Sequence, residues 1–344
     1  MASLLAVPMS IVLTAFCWGV YGVALHVGQH AMLESRLRPF ICVGLAYLLL
    51  GVLAPMIWLY LYGEKGKWTA TGTIWSLIAG AVGALGALGV ILALTFGGRP
   101  VYVMPLVFGC APVINTFTTM YMGRSFRTNP MFLAGLILVI AGAAMVLVFK
   151  PAPPARAAAQ AAATLAMVDW LKIVGAIALT AICWGVYGPV LHKGQMAMQG
   201  SRLRPLICVG LAYLVIAVVL PLLLMPLVGD PGEWTTRGTL WSLAGGAAGA
   251  VGAIGIILAF NFGGKPIYVM PLVFGGAPVI NTFASMAAVG AGGELTPTFI
   301  AGLIIAIIGA VTVLVFAPRG QPHSHAPAPP SQKTAEQPAE PAKT

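Results

Sequence analysis

The segment PLVFGGAPVINT at 271–282 and its near-copy PLVFGCAPVINT at 105–116 each set two prolines and an asparagine inside a strongly apolar run. Proline has no backbone donor, so Pro271 and Pro278 leave the carbonyls of Ile267 and Phe274 unclaimed, and Pro105 and Pro112 leave those of Val101 and Phe108. Spacings of three, four and three put Pro271, Phe274, Pro278 and Asn281 on one helical stripe. Kinked helices with freed carbonyls and a nearby amide, Asn115 or Asn281, suit a polar solute, because irregular backbone is tolerated in hydrocarbon where it faces a cavity. The competing role is packing, with the asparagines hydrogen-bonded to a neighbouring helix.

A second stripe recurs in the same way. Trp18, Tyr21, Leu25 and Gln29 repeat as Trp184, Tyr187, Leu191 and Gln195, at spacings of three, four and four. Flat aromatic faces beside hydrogen-bonding groups suit a sugar or an amphipathic metabolite. Interfacial anchoring is the alternative, strongest for Gln29 and Gln195 near the span ends. His26 and His192 also match, and an imidazole titrating near pH 6.5 can carry a proton or serve as a hydrogen-bonded structural group.

The acidic residues are Glu34, Glu64, Asp169, Asp230, Glu233, Glu294, Glu336 and Glu340, and all fall outside the apolar runs. A carrier of cations, or one coupled through a buried carboxylate, places such a group within the membrane, so neutral or anionic solutes are expected. Arg36, Arg38, Arg202 and Arg204 stand where they can attract anions to two mouths or fix topology. The sequence holds no intramembrane carboxylate pair, His/Glu metal motif or nucleophile–base constellation, so no enzyme, cofactor or metal is expected. Cys17, Cys42, Cys110, Cys183 and Cys208 lie within apolar runs without CxxC spacing, as small packing residues do.

What must position these groups is a bundle of membrane helices. Of 344 residues, 59% are hydrophobic and only 8% charged, and mean hydropathy is +0.95; a soluble domain of this size needs far more surface charge. Apolar runs of helical membrane-span length occur near 4–26, 40–62, 73–96, 101–122 and 132–149, then near 173–192, 206–228, 239–262, 267–288 and 299–317. The net charge of +10 is scattered over short loops, which points to topology and not to nucleic acid. The third runs carry Gly80, Gly83, Gly86 and Gly89, matched by Gly246, Gly249, Gly252 and Gly255, a small-residue surface for close helix approach that could also let the halves slide.

An offset of 166 residues superimposes the halves: CWGVYG, SRLRP and ICVGLAYL recur, and about two thirds of positions 17–116 are identical to their partners. Each half holds five runs. An odd number sends the second copy into the bilayer from the opposite side, so the expectation is an all-α polytopic protein with ten transmembrane helices as two inverted five-helix repeats. The first repeat spans 1–150, a Pro/Ala linker 151–172, the second repeat 173–318, and a Pro-rich, disordered tail 319–344.

The chain resembles the drug/metabolite transporter superfamily, in its EamA-type ten-helix form. The resemblance runs over residues 10–317 and rests on Trp18-Gly19 and Trp184-Gly185, the proline-bearing fourth helices, and GELTPTFIAGLIIAIIGAVTVL at 293–314. The first repeat departs from the pattern with Arg127 where the second has Glu294. The resemblance implies an inner-membrane carrier of small metabolites with a central cavity lined by the first four helices of each repeat.

Eleven Lys/Arg on the face holding both termini against seven on the other orient the termini to the cytoplasm of a bacterial inner membrane. The expected function is secondary transport of a small neutral or anionic metabolite, sugar-like or amino-acid-like, by alternating access. The expected partners are that solute and the lipid bilayer, without nucleic acid, and homo-oligomerisation is left open. The rival is a membrane scaffold or lipid-interacting protein that uses duplication for stability alone.

Overall fold

The computed structural model describes residues 2–96, 100–124, 129–149, 167–289 and 296–316, and among them all regular structure is helical. Arg127, Glu294, linker residues 151–166 and the tail lie outside the described residues. Helix α1 spans Ala2–Ala31, and α2 runs Leu37–Tyr47, through a π-helical stretch Leu48–Leu53, into Ala54–Tyr62. Next come α3 (Ala70–Thr95), α4 (Pro100–Met122) and α5 (Pro130–Val148). The second half has α6 (Met167–Ala197), then α7 as Leu203–Tyr213, π-helical Leu214–Val219 and Leu220–Val228. It closes with α8 (Thr236–Asn261), α9 (Pro266–Val289) and α10 (Pro297–Phe316).

Seven of these, α1–α3 and α6–α9, are long and apolar enough to cross a membrane, with shorter apolar helices over Leu106–Met122, Pro130–Val146 and Pro297–Val313. The protein is thus an all-helical integral membrane protein. The π-helical stretches fall at matching places, and each is followed by a proline, Pro55 and Pro221, within continuous helical backbone.

Three boundaries depart from the sequence expectation. Helix α6 begins at Met167, inside the segment 151–172 expected as linker and ahead of the run expected from 173, and two helices end late. The runs expected to end near 26 and 192 lie in helices that continue to Ala31 and Ala197. The cause is at Gln29 and Gln195, which are buried and not interfacial. Gln29 Nε2 donates to Thr95 Oγ1 at 3.3 Å, and Gln195 Nε2 donates to the Ile257 carbonyl at 3.0 Å. These contacts keep one more turn of each helix packed on its neighbours.

The halves interlock. Helix α1 packs along α8, α3 along α6, and α5 along α10. The first two pairs are antiparallel: Gly28 faces Ser242 while Thr14 faces Gly255, and Gly194 faces Ser76 while Thr180 faces Gly89. The loop turns finish the pairing. Thr69 Oγ1 accepts from Gly72 N and donates to the Ala197 carbonyl at 3.0 Å, capping α3 on the end of α6. Thr235 Oγ1 accepts from Gly238 N and donates to the Ala31 carbonyl at 2.8 Å, capping α8 on the end of α1.

At the α5–α10 interface the backbones touch. A Cβ on Gly142 would lie 2.7 Å from Ala306 Cα and 2.8 Å from the Gly302 carbonyl, whereas one on Gly175 meets nothing within 4 Å. Small residues at such crossings let helices associate where lipid gives no hydrophobic incentive. Gly142→Ala should therefore destabilise the purified protein by about 1–3 kcal/mol through overpacking. Gly175→Ala should be neutral or stabilising by about 0.5–1 kcal/mol through helix propensity. Thermal unfolding in detergent, run on both variants side by side, checks the contrast.

Candidate functional site: a central aromatic box

The first helix of each half carries the site's main walls. Trp18 on α1 donates its indole N–H to the Gly249 carbonyl of α8 at 3.3 Å, and Trp184 on α6 donates to the Gly83 carbonyl of α3 at 3.3 Å. The pyrrole edge of each indole is seated in a backbone notch: a Cβ on Gly252 would collide with Trp18, and one on Gly86 with Trp184. Thr14 and Thr180 hydroxyls bond the carbonyls of those same glycines at 3.1 Å. The residue after each tryptophan makes room on another side. A Cβ on Gly19 would lie 2.7 Å from Ile280 of α9, and one on Gly185 2.7 Å from Ile114 of α4. The repeated Trp-Gly pair is therefore a three-helix joint. The glycine series serves the close helix approach expected of it, receiving side chains and backbone of the facing helix.

The rest of the rings meet at the centre. Trp18 and Trp184 have centroids 6.5 Å apart, with planes 24° from parallel. Tyr47 and Tyr213 stack at 3.8 Å and 2°, and Phe108 and Phe274 stand 6.1 Å apart. The cavity between them is lined by Trp18, Tyr21, Tyr47, Phe108, Trp184, Tyr187 and Tyr213, with Gly83, Ala87 and Gly249. Its free space is about 40 Å³, room for about three waters. A metabolite enters only when the rings part. Among the described residues no charged side chain lines the box. Its polar groups are tyrosine hydroxyls, and the Tyr21 hydroxyl is buried without a partner, an unmet demand that a ligand or water would satisfy. Phe108 adds backbone polarity, since Pro112 offers its carbonyl no donor.

Four expected site residues, Trp18, Tyr21, Trp184 and Tyr187, thus converge on one cavity. The asparagines and histidines do not line it. Asn115 Nδ2 donates to the Pro266 carbonyl at the start of α9 at 2.9 Å, and its Oδ1 faces Gly188. Asn281 is likewise buried. Helices α4 and α9 run through Pro112, Pro271 and Pro278 without interruption, while the side chain of Pro105 lies outside those described. Thr116 and Thr282 bond back to the carbonyls of Pro112 and Pro278, both at 2.9 Å. His26 is exposed and stacks on His30 at 5.9 Å. His192 meets the Phe260 ring edge-on at 4.9 Å and belongs to a separate cavity. Phe108 is the first-half counterpart of Phe274 on the fourth-helix stripe, while Tyr47 and Tyr213 are wall residues the stripes did not reveal. Their signal was the repetition of ICVGLAYL, an aromatic ring kept at the same register in both halves.

Carboxylate clamps join the two halves at the ends of α2 and α7. Asp230 accepts from Ser35 Oγ at 2.5 Å, Arg36 N at 2.9 Å and Arg38 Nη1 at 2.8 Å, capping α2. At the other end Glu64 accepts from Ser201 Oγ at 2.6 Å, Arg202 N at 2.7 Å, Leu203 N at 3.1 Å and Arg202 Nε at 3.2 Å, capping α7. Arg204 lies 3.7 Å from the same carboxylate. Arg38, Arg202 and Arg204 are thus engaged in the clamps, which favours a structural role over anion attraction among the two readings the sequence left open. Glu64 and Asp230 stand at matching positions of the repeat, the one sign of the clamps in the sequence.

Burial alone would raise the Glu64 carboxyl, but the hydrogen bonds from Ser201, Leu203 and Arg202 outweigh it and hold the group below its ordinary value. A carboxyl depressed in the folded state contributes stability above its unfolded pKa and loses it as pH falls through the folded value. Glu64→Gln should cost about 1–3 kcal/mol at neutral pH. The gap to wild type should close as pH falls below about 4, the ordinary glutamate range, in melting curves recorded across pH.

The sequence matches no family model and no curated protein. The fold, by contrast, has solved counterparts. One of them, described only as "Crystal structure of protein", aligns with a TM-score of 0.64 at 17% identity, covering 92% of this chain and 99% of that chain. At that identity the likeness establishes a shared fold and nothing of activity.

Proposed function

We propose that the chain is a secondary transporter of the drug/metabolite transporter superfamily, EamA-type, with ten transmembrane helices as two inverted five-helix repeats. It sits in the bacterial inner membrane with both termini cytoplasmic and moves a small neutral or anionic metabolite by alternating access. The observation that carries this reading is the aromatic box, a cavity built from matching residues of both halves, in a molecule whose halves are also joined by two matching clamps. Support for the inverted arrangement comes from the antiparallel pairing of α1 with α8 and of α3 with α6. Two equivalent halves around one site are what alternating access requires. Within the proposed solute range, the box favours a neutral ring-bearing molecule. The indole N–H groups are spent on glycine carbonyls, so the tryptophans offer faces, and hydroxyls supply the hydrogen bonds.

The test is uptake by proteoliposomes over a panel of sugars and amino-acid-like metabolites, with and without a pH gradient. Trp18→Ala and Trp184→Ala should each weaken apparent affinity about threefold to tenfold, the worth of one ring contact. Asn115→Ala should act on the melting temperature more than on affinity. Uptake indistinguishable from empty vesicles for the whole panel, or unchanged affinity in both tryptophan variants, overturns the proposal.

A further inference from the structure

A second cavity opens between α4, α6 and α9, with about 410 Å³ of free space against about 40 Å³ in the aromatic box. Its polar lining comes from Thr119, His192, Lys193 and Lys265, and among the described residues no carboxylate lines it. His192 Nδ1 and Thr119 Oγ1 are both buried there without a hydrogen-bond partner. Such orphaned groups need an explanation, and every one of these four side chains can donate: two ammoniums, an imidazole N–H and a hydroxyl. Lys193 is held in place, its ammonium 3.9 Å over the Trp75 ring.

This cavity is also where the two-fold likeness of the halves fails. At the 166-residue offset His192 matches His26 and Trp241 matches Trp75, but Lys193 is replaced by Val27 and Met196 by His30. Only one end of the molecule therefore gains the second lysine, and that end also holds the Glu64 clamp and the start of α9, whose helix N-terminus favours negative charge.

We propose that this cavity is a binding site for a phosphate-type oxyanion, gripped by Lys265 and Lys193 and oriented by His192 and Thr119. The group is carried either by free phosphate or by the headgroup of an anionic lipid at that face. Binding here requires no transport through the aromatic box, so it is measured separately.

The experiment uses the purified full chain in detergent. One arm follows thermal unfolding with sodium phosphate against sodium chloride at equal ionic strength. The other uses native mass spectrometry with phosphatidylglycerol against phosphatidylcholine. Phosphate or phosphatidylglycerol should bind selectively, and whichever does identifies the source. Lys265→Gln and Lys193→Gln should each weaken that binding at least fivefold. Lys265→Arg and the exposed Lys67→Gln should retain it. Absence of selective binding in both arms, or full binding in both glutamine variants, overturns the proposal.

Discussion

The seating of an indole edge in a glycine notch is the interaction on which the rest of the structure depends. In hydrocarbon, two apolar helices gain little by meeting, because lipid tails are as good a solvent for leucine as leucine is. What the bilayer cannot supply is a partner for an indole N–H or a close fit for a ring. Trp18 finds both on α8, at the Gly249 carbonyl and the Gly252 backbone, and Trp184 finds both on α3. Each joint ties one half to the other, so neither half can adopt its own packing alone. The outward consequence is the box itself, since anchoring the pyrrole edges leaves the remaining ring surfaces facing the centre.

Backbone accounting explains the prolines that stand so oddly in the fourth helices. A membrane helix that loses donors must recover them from side chains or expose carbonyls where polarity is tolerated. The Thr116 and Thr282 hydroxyls reach the prolines' own carbonyls, which already face a helix N–H, and Asn115 ties α4 to Pro266 of α9. None of these bonds serves the carbonyls that the missing proline N–H groups leave at Phe108 and Phe274. The carbonyl of Phe108 is left over, on a residue that lines the cavity. One segment thus supplies structural hydrogen bonds at its asparagine and site polarity at its proline.

How much of this was legible follows from what apolar sequence can encode. The apolar, helical character of the chain and its duplication were, because a bilayer demands long hydrophobic runs and a copied gene keeps its register. Among the described residues, however, only seven of the ten expected runs form helices long and apolar enough to cross a membrane. The Trp/Tyr stripe was legible too, since polar-edged aromatics repeated on one helical face are costly unless something uses them. Asn115 was not, because an amide in hydrocarbon is equally at home holding a neighbouring helix or a solute. Gln29 and Gln195 looked interfacial by position alone, and only the partner helices reveal them as buried. The π-helical stretches are invisible to hydropathy, which records composition and not hydrogen-bond register. The clamps rest on loop residues 195 or more positions from Ser35 and 137 from Ser201, distances at which local pattern carries nothing.

The clamps and the box together define what a conformational change must do. In the proposed alternating-access cycle, parting the halves at either end separates a capped helix from the carboxylate of the other half. A capped helix end is discrete: Glu64 either holds the N–H groups of Arg202 and Leu203 or leaves them to water. Matching chemistry at the two ends gives the open-up and open-down forms of the proposed carrier nearly equal clamp energies, as reversible alternation requires. The match is incomplete, with glutamate and a second arginine contact on one side and aspartate on the other. A pseudo-symmetric molecule can acquire a preferred resting direction from such small differences, without altering the box that both forms share.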